Sequence, residues 1–173
     1  MATTLNSAKP QARVAPDGLK VRIRKSLSRS FELDVEFKLE NGITIVFGPS
    51  GAGKTTLLDC IAGLNAPDAG RISVGNSVLF DSERATNVPV RNRRIGYVFQ
   101  DLALFPHMTM ESNIDYGLSG LGTEERSLRV EKWLDTLGIA SLRNRRPDQL
   151  SGGERQRVAL ARALVTEPSA LLL

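Results

Sequence analysis

One cysteine, Cys60, stands among the 173 residues. Its solitude excludes an internal disulfide and any metal centre built on several thiolates. No apolar run approaches the roughly 20 residues that a membrane-spanning helix needs. Residues 1–18, MATTLNSAKPQARVAPDG, have no apolar segment of the kind a secretory signal carries, and no acid before Asp17. Their Ser, Thr, Ala, Arg and Pro fit an organelle transit peptide or a disordered leader. The reading adopted is a disordered leader on a cytosolic protein.

What is present is an ordinary globular balance, 41% hydrophobic and 24% charged, in a chain long enough for one domain with a real core. The net charge is +4. Basic residues cluster at 20–25, 91–94 and 143–146. Such clusters suit nucleic acid, anionic lipid or phosphate groups, but most are solvated faces.

Residues 19–25, LKVRIRK, alternate apolar and basic positions, as a half-buried strand does. FELDVEFKL alternates again through Phe31, Leu33, Val35 and Phe37, which predicts an antiparallel pair at the start of the domain. GITIVF, residues 42–47, is apolar at nearly every position and predicts a central strand covered on both faces. RISVGNSVLF reads as two strands around a Gly75-Asn76 hairpin, and RRIGYVFQ as one more strand. From Asp101 to Pro147 the pattern turns helical. Thr123 is placed to cap a helix ending at Gly138, with Val130, Leu134 and Leu137 on its inner face. After Leu150 come a turn, a helix and the opening of a strand. The architecture expected is an α/β core with a small antiparallel edge and an inserted helical lobe.

GPSGAGKT, residues 48–55, satisfies G-x-x-x-x-G-K-[ST] between an apolar stretch and a helix carrying Leu57, Ile61 and Leu64 on one face. Gly48, Gly51 and Gly53 let the backbone curl and leave room for phosphate oxygens to reach amide N–H groups. The loop runs into a helix N-terminus, whose unpaired donors and partial positive charge favour an anion. Lys54 supplies a full charge for the β- and γ-phosphates, and Thr55 a hydroxyl for Mg²⁺. A glycine-rich turn without a ligand is the bland alternative, and the strand–loop–helix setting disfavours it. The motif names a ligand and leaves the task open.

LSGGERQRVALARAL, residues 150–164, opens with Ser151, Gly152 and Gly153 ahead of a helix that turns Val158, Ala161, Leu164 and Val165 inward. Read from its residues alone, this is either a second anion-binding helix end or a serine-capped helix with a flexible lead-in.

These motifs, with YVFQD between them, resemble those of the ATP-binding cassette (ABC) ATPases in order and spacing, over essentially all of residues 19–173. The resemblance implies a P-loop NTPase fold of the ABC nucleotide-binding type, with a core and antiparallel part over 19–100 and a helical subdomain over 101–149. The signature helix and the start of the Walker B strand would then occupy 150–173. It implies ATP and Mg²⁺ as cofactors. ATP would be bound by Gly48, Pro49, Ser50, Gly51, Ala52, Gly53, Lys54, Thr55 and Thr56 of one domain. Ser151, Gly152, Gly153 and Glu154 of a second domain, placed head to tail, would meet the same nucleotide. Lys54 and Gln100 would be the catalytic pair, with Thr55 and Gln100 on the metal. The loop from Gln100 to Met110 would dock a transmembrane permease, with His107, the only histidine, as a surface contact. A substrate-binding protein would act indirectly, and no nucleic-acid partner is implied. The subunit would sit peripherally on the cytoplasmic face of the membrane.

One departure concerns the base. The family stacks adenine on an aromatic near RKSLSRS; none is there, and Phe31 is the nearest candidate. Among importers, NGITIVFGPSGAGKTTLL and RRIGYVFQDLALFPH are most similar to the ATP-binding subunits for molybdate and tungstate, with sulfate, polyamine and iron importers as alternatives. A soluble ABC ATPase of DNA repair or translation fits less well, because this chain has one cassette and no long insertion. A non-catalytic nucleotide-binding module is the remaining class. The terminal ALLL would open the strand that continues into a metal-binding Asp and a catalytic Glu. The chain is therefore expected to be a fragment with little hydrolysis of its own.

Overall fold

The computed structural model describes residues 18–28 and 31–173. The expected leader thus lies almost wholly outside the described residues. Strand β1 (Leu19–Ser28) lies between β2 (Phe31–Leu39) and β3 (Ala69–Val74), antiparallel to both. Beyond β3 follow β4 (Ser77–Asp81) and a two-residue β5 (Thr86–Asn87), giving the order β2-β1-β3-β4-β5. The alternation read in β1 is the alternation that forms. Val21 and Ile23 are buried against Ile72, while Lys20, Arg22 and Arg24 face out. The β3–β4 hairpin turns at Gly75-Asn76 as expected, with Gly75 at φ 56°. Gly70 is demanded twice over. Its φ is 110°, and a Cβ there would lie 2.0 Å from the carbonyl oxygen of Arg22 on the neighbouring strand.

A second, parallel pair joins β6 (Ile95–Tyr97) to β7 (Ala170–Leu172). Helix α1 (Lys54–Ala62) buries Leu57, Cys60 and Ile61 in the same core as β1 and β3. Cys60 is a small core residue, fully buried, with its thiol pushed up by that burial. A separate core gathers α2 (Met110–Asp115), α3 (Thr123–Thr136) and α4 (Gly152–Leu164) around Met110, Ile114, Leu134, Ile139, Val158 and Val165. Each such aliphatic side chain contributes roughly 1.5–3 kcal/mol on burial.

Three expectations are corrected. Residues 42–47 form no strand, and Ile43 and Phe47 are 97% exposed. An all-apolar run becomes a central strand only between two ladder partners. Here β6 and β7 pair with each other, and no described strand pairs with 42–47. The segment instead borders an open cleft of about 1910 Å³ whose opposite wall includes Leu57, Ile61, Val98, Leu171 and Leu172. Thr123 is not a cap: Gly122, in extended conformation, precedes the helix and Thr123 is its first residue. Leu64 does not join the inner face of α1, because the helix stops at Ala62 and Leu64 is half exposed. Among the described residues the antiparallel part comprises five strands and the parallel pair two.

Candidate nucleotide site

The phosphate loop gets its shape from two glycines in the left-handed region, Gly51 at φ 81° and Gly53 at φ 82°. Space is not the constraint at Gly51, where a Cβ would meet nothing within 4 Å. The backbone angle is. Gly53 is the N-cap of α1 and offers no side-chain cap, so the first-turn N–H groups of α1 lack the partner that a Ser or Asp would supply. A helix end left in that condition is a cradle for an anion.

Lys54 arches back over the loop. Its ammonium donates to the carbonyl oxygens of Gly48 (2.8 Å) and Pro49 (2.7 Å). Of its three N–H donors, two brace the loop's own mouth and one is left for a ligand. Thr55 and Gln100 are exposed, and Lys54, Thr55 and Gln100 line one cleft. The hydroxyl of Thr55 and the amide oxygen of Gln100 are neutral oxygen donors. That set suits Mg²⁺, which takes its remaining positions from phosphates and water. Phe31, 40% exposed, and Leu27 close over the loop from the sheet: a Cβ on Gly53 would lie 3.7 Å and 3.5 Å from them.

Gln100 follows three residues after the end of β6, and β6 is tied to the phosphate-loop helix. The Tyr97 hydroxyl donates to the Asp59 carboxylate at 2.9 Å. Burial, then the hydrogen bond and charge of Asp59, push the phenol up to about 12, so it stays a donor at any physiological pH.

The loop after Gln100 contains two consecutive non-glycine residues in the left-handed region, Leu102 at φ 64° and Ala103 at φ 41°. Arg162, on α4, pins both: it donates to the Leu102 and Ala103 carbonyl oxygens, each at 2.7 Å, and lies over the Phe105 ring. Burial lowers its pKa. From the other side the wholly buried Asn113 accepts from the Phe105 N–H and donates to the carbonyls of Phe105 and Thr109. His107 is exposed near the Phe105 ring. Left-handed backbone costs roughly 1–2 kcal/mol per residue. Arg162→Ala is therefore expected to cost about 2–3 kcal/mol and to speed amide exchange over residues 101–108 at least tenfold. Unchanged exchange there would show that the loop holds itself.

Ser151 caps α4. Its hydroxyl accepts from the Glu154 N–H (3.3 Å), and the Glu154 carboxylate accepts from both the Ser151 N–H and its hydroxyl, each at 2.7 Å. These bonds hold the Glu154 carboxyl below the usual carboxylate range. Gly152 and Gly153 have ordinary negative φ, and a Cβ on either would meet nothing within 4 Å. Glycine costs about 1 kcal/mol relative to alanine in a helix, so nothing among the described residues accounts for this pair. The structure does not bring this helix end to the phosphate loop. Gly152 and Arg155 border their own cavity of about 400 Å³, shared with Gln100, Asp101 and Pro147. Gln100 touches both spaces.

Arg93, Asn113, Arg162 and the Tyr97–Asp59 pair escaped the sequence reading. The only sequence hint was a charge inside an otherwise apolar stretch, such as Arg162 within VALARAL.

A glycine-shaped loop on an uncapped helix end, with a lysine across its mouth and a hydroxyl beside it, defines a phosphate-loop nucleotide-binding domain. The family model described as "ABC transporter" matches residues 33–173, and the chain belongs to that family. It is 47% identical over 143 residues to the molybdenum import ATP-binding protein of Paramagnetospirillum magneticum, covering 83% of this chain and 39% of that protein. The Brucella melitensis counterpart is 47% identical over 156 residues, covering 90% and 43%. The chain thus spans about two-fifths of the length of these relatives. Among solved structures it is similar to an ATP-binding cassette captured as a dimer in a post-hydrolysis state with ADP and Pi. That match has a TM-score of 0.71 and 30% identity, over 89% of this chain and 72% of that one. The cbiO1 protein of Clostridium perfringens, part of the ABC transporter complex cbiONQ, matches with a TM-score of 0.75 and 29% identity, over 91% of this chain and 65% of that one. Among the described residues no helix is long and apolar enough to cross a membrane.

Proposed function

We propose that this chain is the ATP-binding part of the ATPase subunit of a molybdate or tungstate importer, coupling ATP hydrolysis to transport. The phosphate loop, with Gly48, Pro49, Ser50, Gly51, Ala52, Gly53, Lys54, Thr55 and Thr56, holds the triphosphate. Thr55 and Gln100 hold Mg²⁺, which when bound screens the phosphate charge. Ser151, Gly152 and Gly153 approach the γ-phosphate of ATP bound by a second copy or a second cassette. The observation that carries this reading is the bare Gly152-Gly153 pair, which no contact or backbone angle among the described residues requires. Small residues at an exposed helix end let another surface come close to the backbone N–H groups. The pinned loop from Gln100 to Met110 is the face offered to a permease on the cytoplasmic side of the membrane. The identity to molybdenum import proteins supports the substrate class. The transported anion is read by other subunits, which is why no residue here is assigned to it.

The test is ATP-driven dimerisation of the full chain, followed by sedimentation. Ser151→Arg is expected to lose most of the dimer at the concentration where the unaltered chain is half dimeric, while its monomer still binds nucleotide. An unchanged dimer would refute the assignment. For the substrate, ATPase activity in the assembled importer is expected to rise with molybdate; a rise with sulfate alone would move the protein to the sulfate class.

A further inference from the structure

We infer that Glu154 is a latch on Ser151, holding the serine hydroxyl away from phosphate until a partner's nucleotide displaces it. The inference rests on the reading that Ser151 meets the γ-phosphate of a second copy's ATP. A serine hydroxyl has one hydrogen. The Glu154 carboxylate is ionised and has none, so the hydrogen in the 2.7 Å contact between Ser151 Oγ and Glu154 Oε2 belongs to the serine. The same Oε2 accepts the Ser151 N–H at 2.7 Å, and the Glu154 N–H points back at Oγ. Ser151 therefore presents only lone-pair density outward. A γ-phosphate oxygen is also an acceptor and gains nothing from that arrangement. To donate to phosphate, Ser151 must withdraw its hydrogen from the carboxylate, breaking a charge-assisted bond of the stronger kind. The carboxylate, left near the incoming phosphate, must also swing aside, and Arg145 and Arg157 are the cations that favour its charged form nearby. Closing the dimer thus carries a cost that a neutral residue at 154 would lower.

Two substitutions separate the hydrogen bond from the charge. Glu154→Gln removes the charge and can turn its amide N–H toward Oγ, which frees the serine hydrogen. Glu154→Asp keeps the charge but is one methylene too short to span back to Ser151. If the latch exists, both tighten the ATP-driven dimer of the full chain, Gln by about tenfold and Asp by a few-fold; thermal melting of each variant confirms folding. Tightening by Gln alone would mean bare charge repulsion and overturn the latch. So would an unchanged or weaker dimer in both variants. If the unaltered chain forms no dimer with ATP, the signature reading itself falls and the latch with it. A dimer indifferent to residue 154 leaves that reading standing and removes only the latch.

Discussion

Lys54→Ala is expected to weaken Mg-ATP binding by at least about a hundredfold. The ammonium has two tasks. It supplies the one full positive charge in the phosphate-loop motif, and charge-assisted hydrogen bonds contribute roughly 1.5–3 kcal/mol each. It also braces the loop through the carbonyls of Gly48 and Pro49. Without that brace the uncapped start of α1 loses the geometry that aims its N–H groups at the phosphates. Two such terms of about 1.4 kcal/mol each already amount to a hundredfold. Isothermal titration of the purified chain checks this. A loss below about fivefold would mean that backbone donors carry the affinity and the lysine serves only hydrolysis. The same titration with inorganic triphosphate separates phosphate from base. Lys54→Ala is expected to weaken both ligands, whereas Phe31→Ala weakens ATP alone if its exposed ring beside Gly53 supports adenine.

The parts of this site legible in the sequence are those whose causes are local. The glycine positions of the phosphate loop, its entry into α1 and the Gly75-Asn76 turn each follow from a few adjacent residues. Residues 42–47 show where locality ends. Their composition states that they belong in an interior, but what covers them must come from elsewhere in the chain or beyond it, and a strand is not a strand without a ladder partner. Arg162 and Arg93 fail to show for a related reason. A buried arginine without a carboxylate is disfavoured on sequence grounds. Arg93 is buried and Arg162 half-buried here because carbonyls converge on each, from residues 59 and 60 positions away for Arg162 and 32 and 33 positions away for Arg93. Glu154 is the opposite case. Its spacing from Ser151 is that of a capping box, a local signal, and the structure adds the bond from the Ser151 hydroxyl to the same carboxylate oxygen.

Arg93→Ala is expected to destabilise the chain by about 4 kcal/mol or more, the largest stability effect here. The guanidinium is 2% exposed. It donates to Val88 O and Asn87 Oδ1 at 2.8 Å each, and to the Cys60 and Ile61 carbonyls at 2.9 Å each. The last two belong to the final turn of α1, where the Cys60 carbonyl also accepts only a longer bond from the Gly63 N–H (3.3 Å) and a cation is favoured by the helix dipole. Burial lowers the Arg93 pKa, yet an arginine stays charged, and converging carbonyl dipoles stand in place of a counter-ion, which no described residue supplies. Gly63 makes the room: a Cβ there would sit 2.4 Å from the Arg93 Nε. Alanine at 93 would strand the buried Ile61 carbonyl and leave that of Cys60 with only the Gly63 N–H, at roughly 1–3 kcal/mol each, and would leave a cavity along the missing stem. In a chain of this size 4 kcal/mol corresponds to a fall in Tm of roughly 10 °C. Arg93→Lys is expected to lose about half as much, since one point charge cannot reach both the helix end and the Asn87–Val88 segment. Gly63→Ala should fall between, by pushing the guanidinium off the helix end. Urea midpoints for the three variants check the order, and a loss below 1 kcal/mol for Arg93→Ala would show that water replaces the guanidinium at those carbonyls. Because α1 begins at Lys54 and ends under Arg93, the same variants are expected to weaken nucleotide binding before they unfold, by freeing the far end of the helix that aims the phosphate loop.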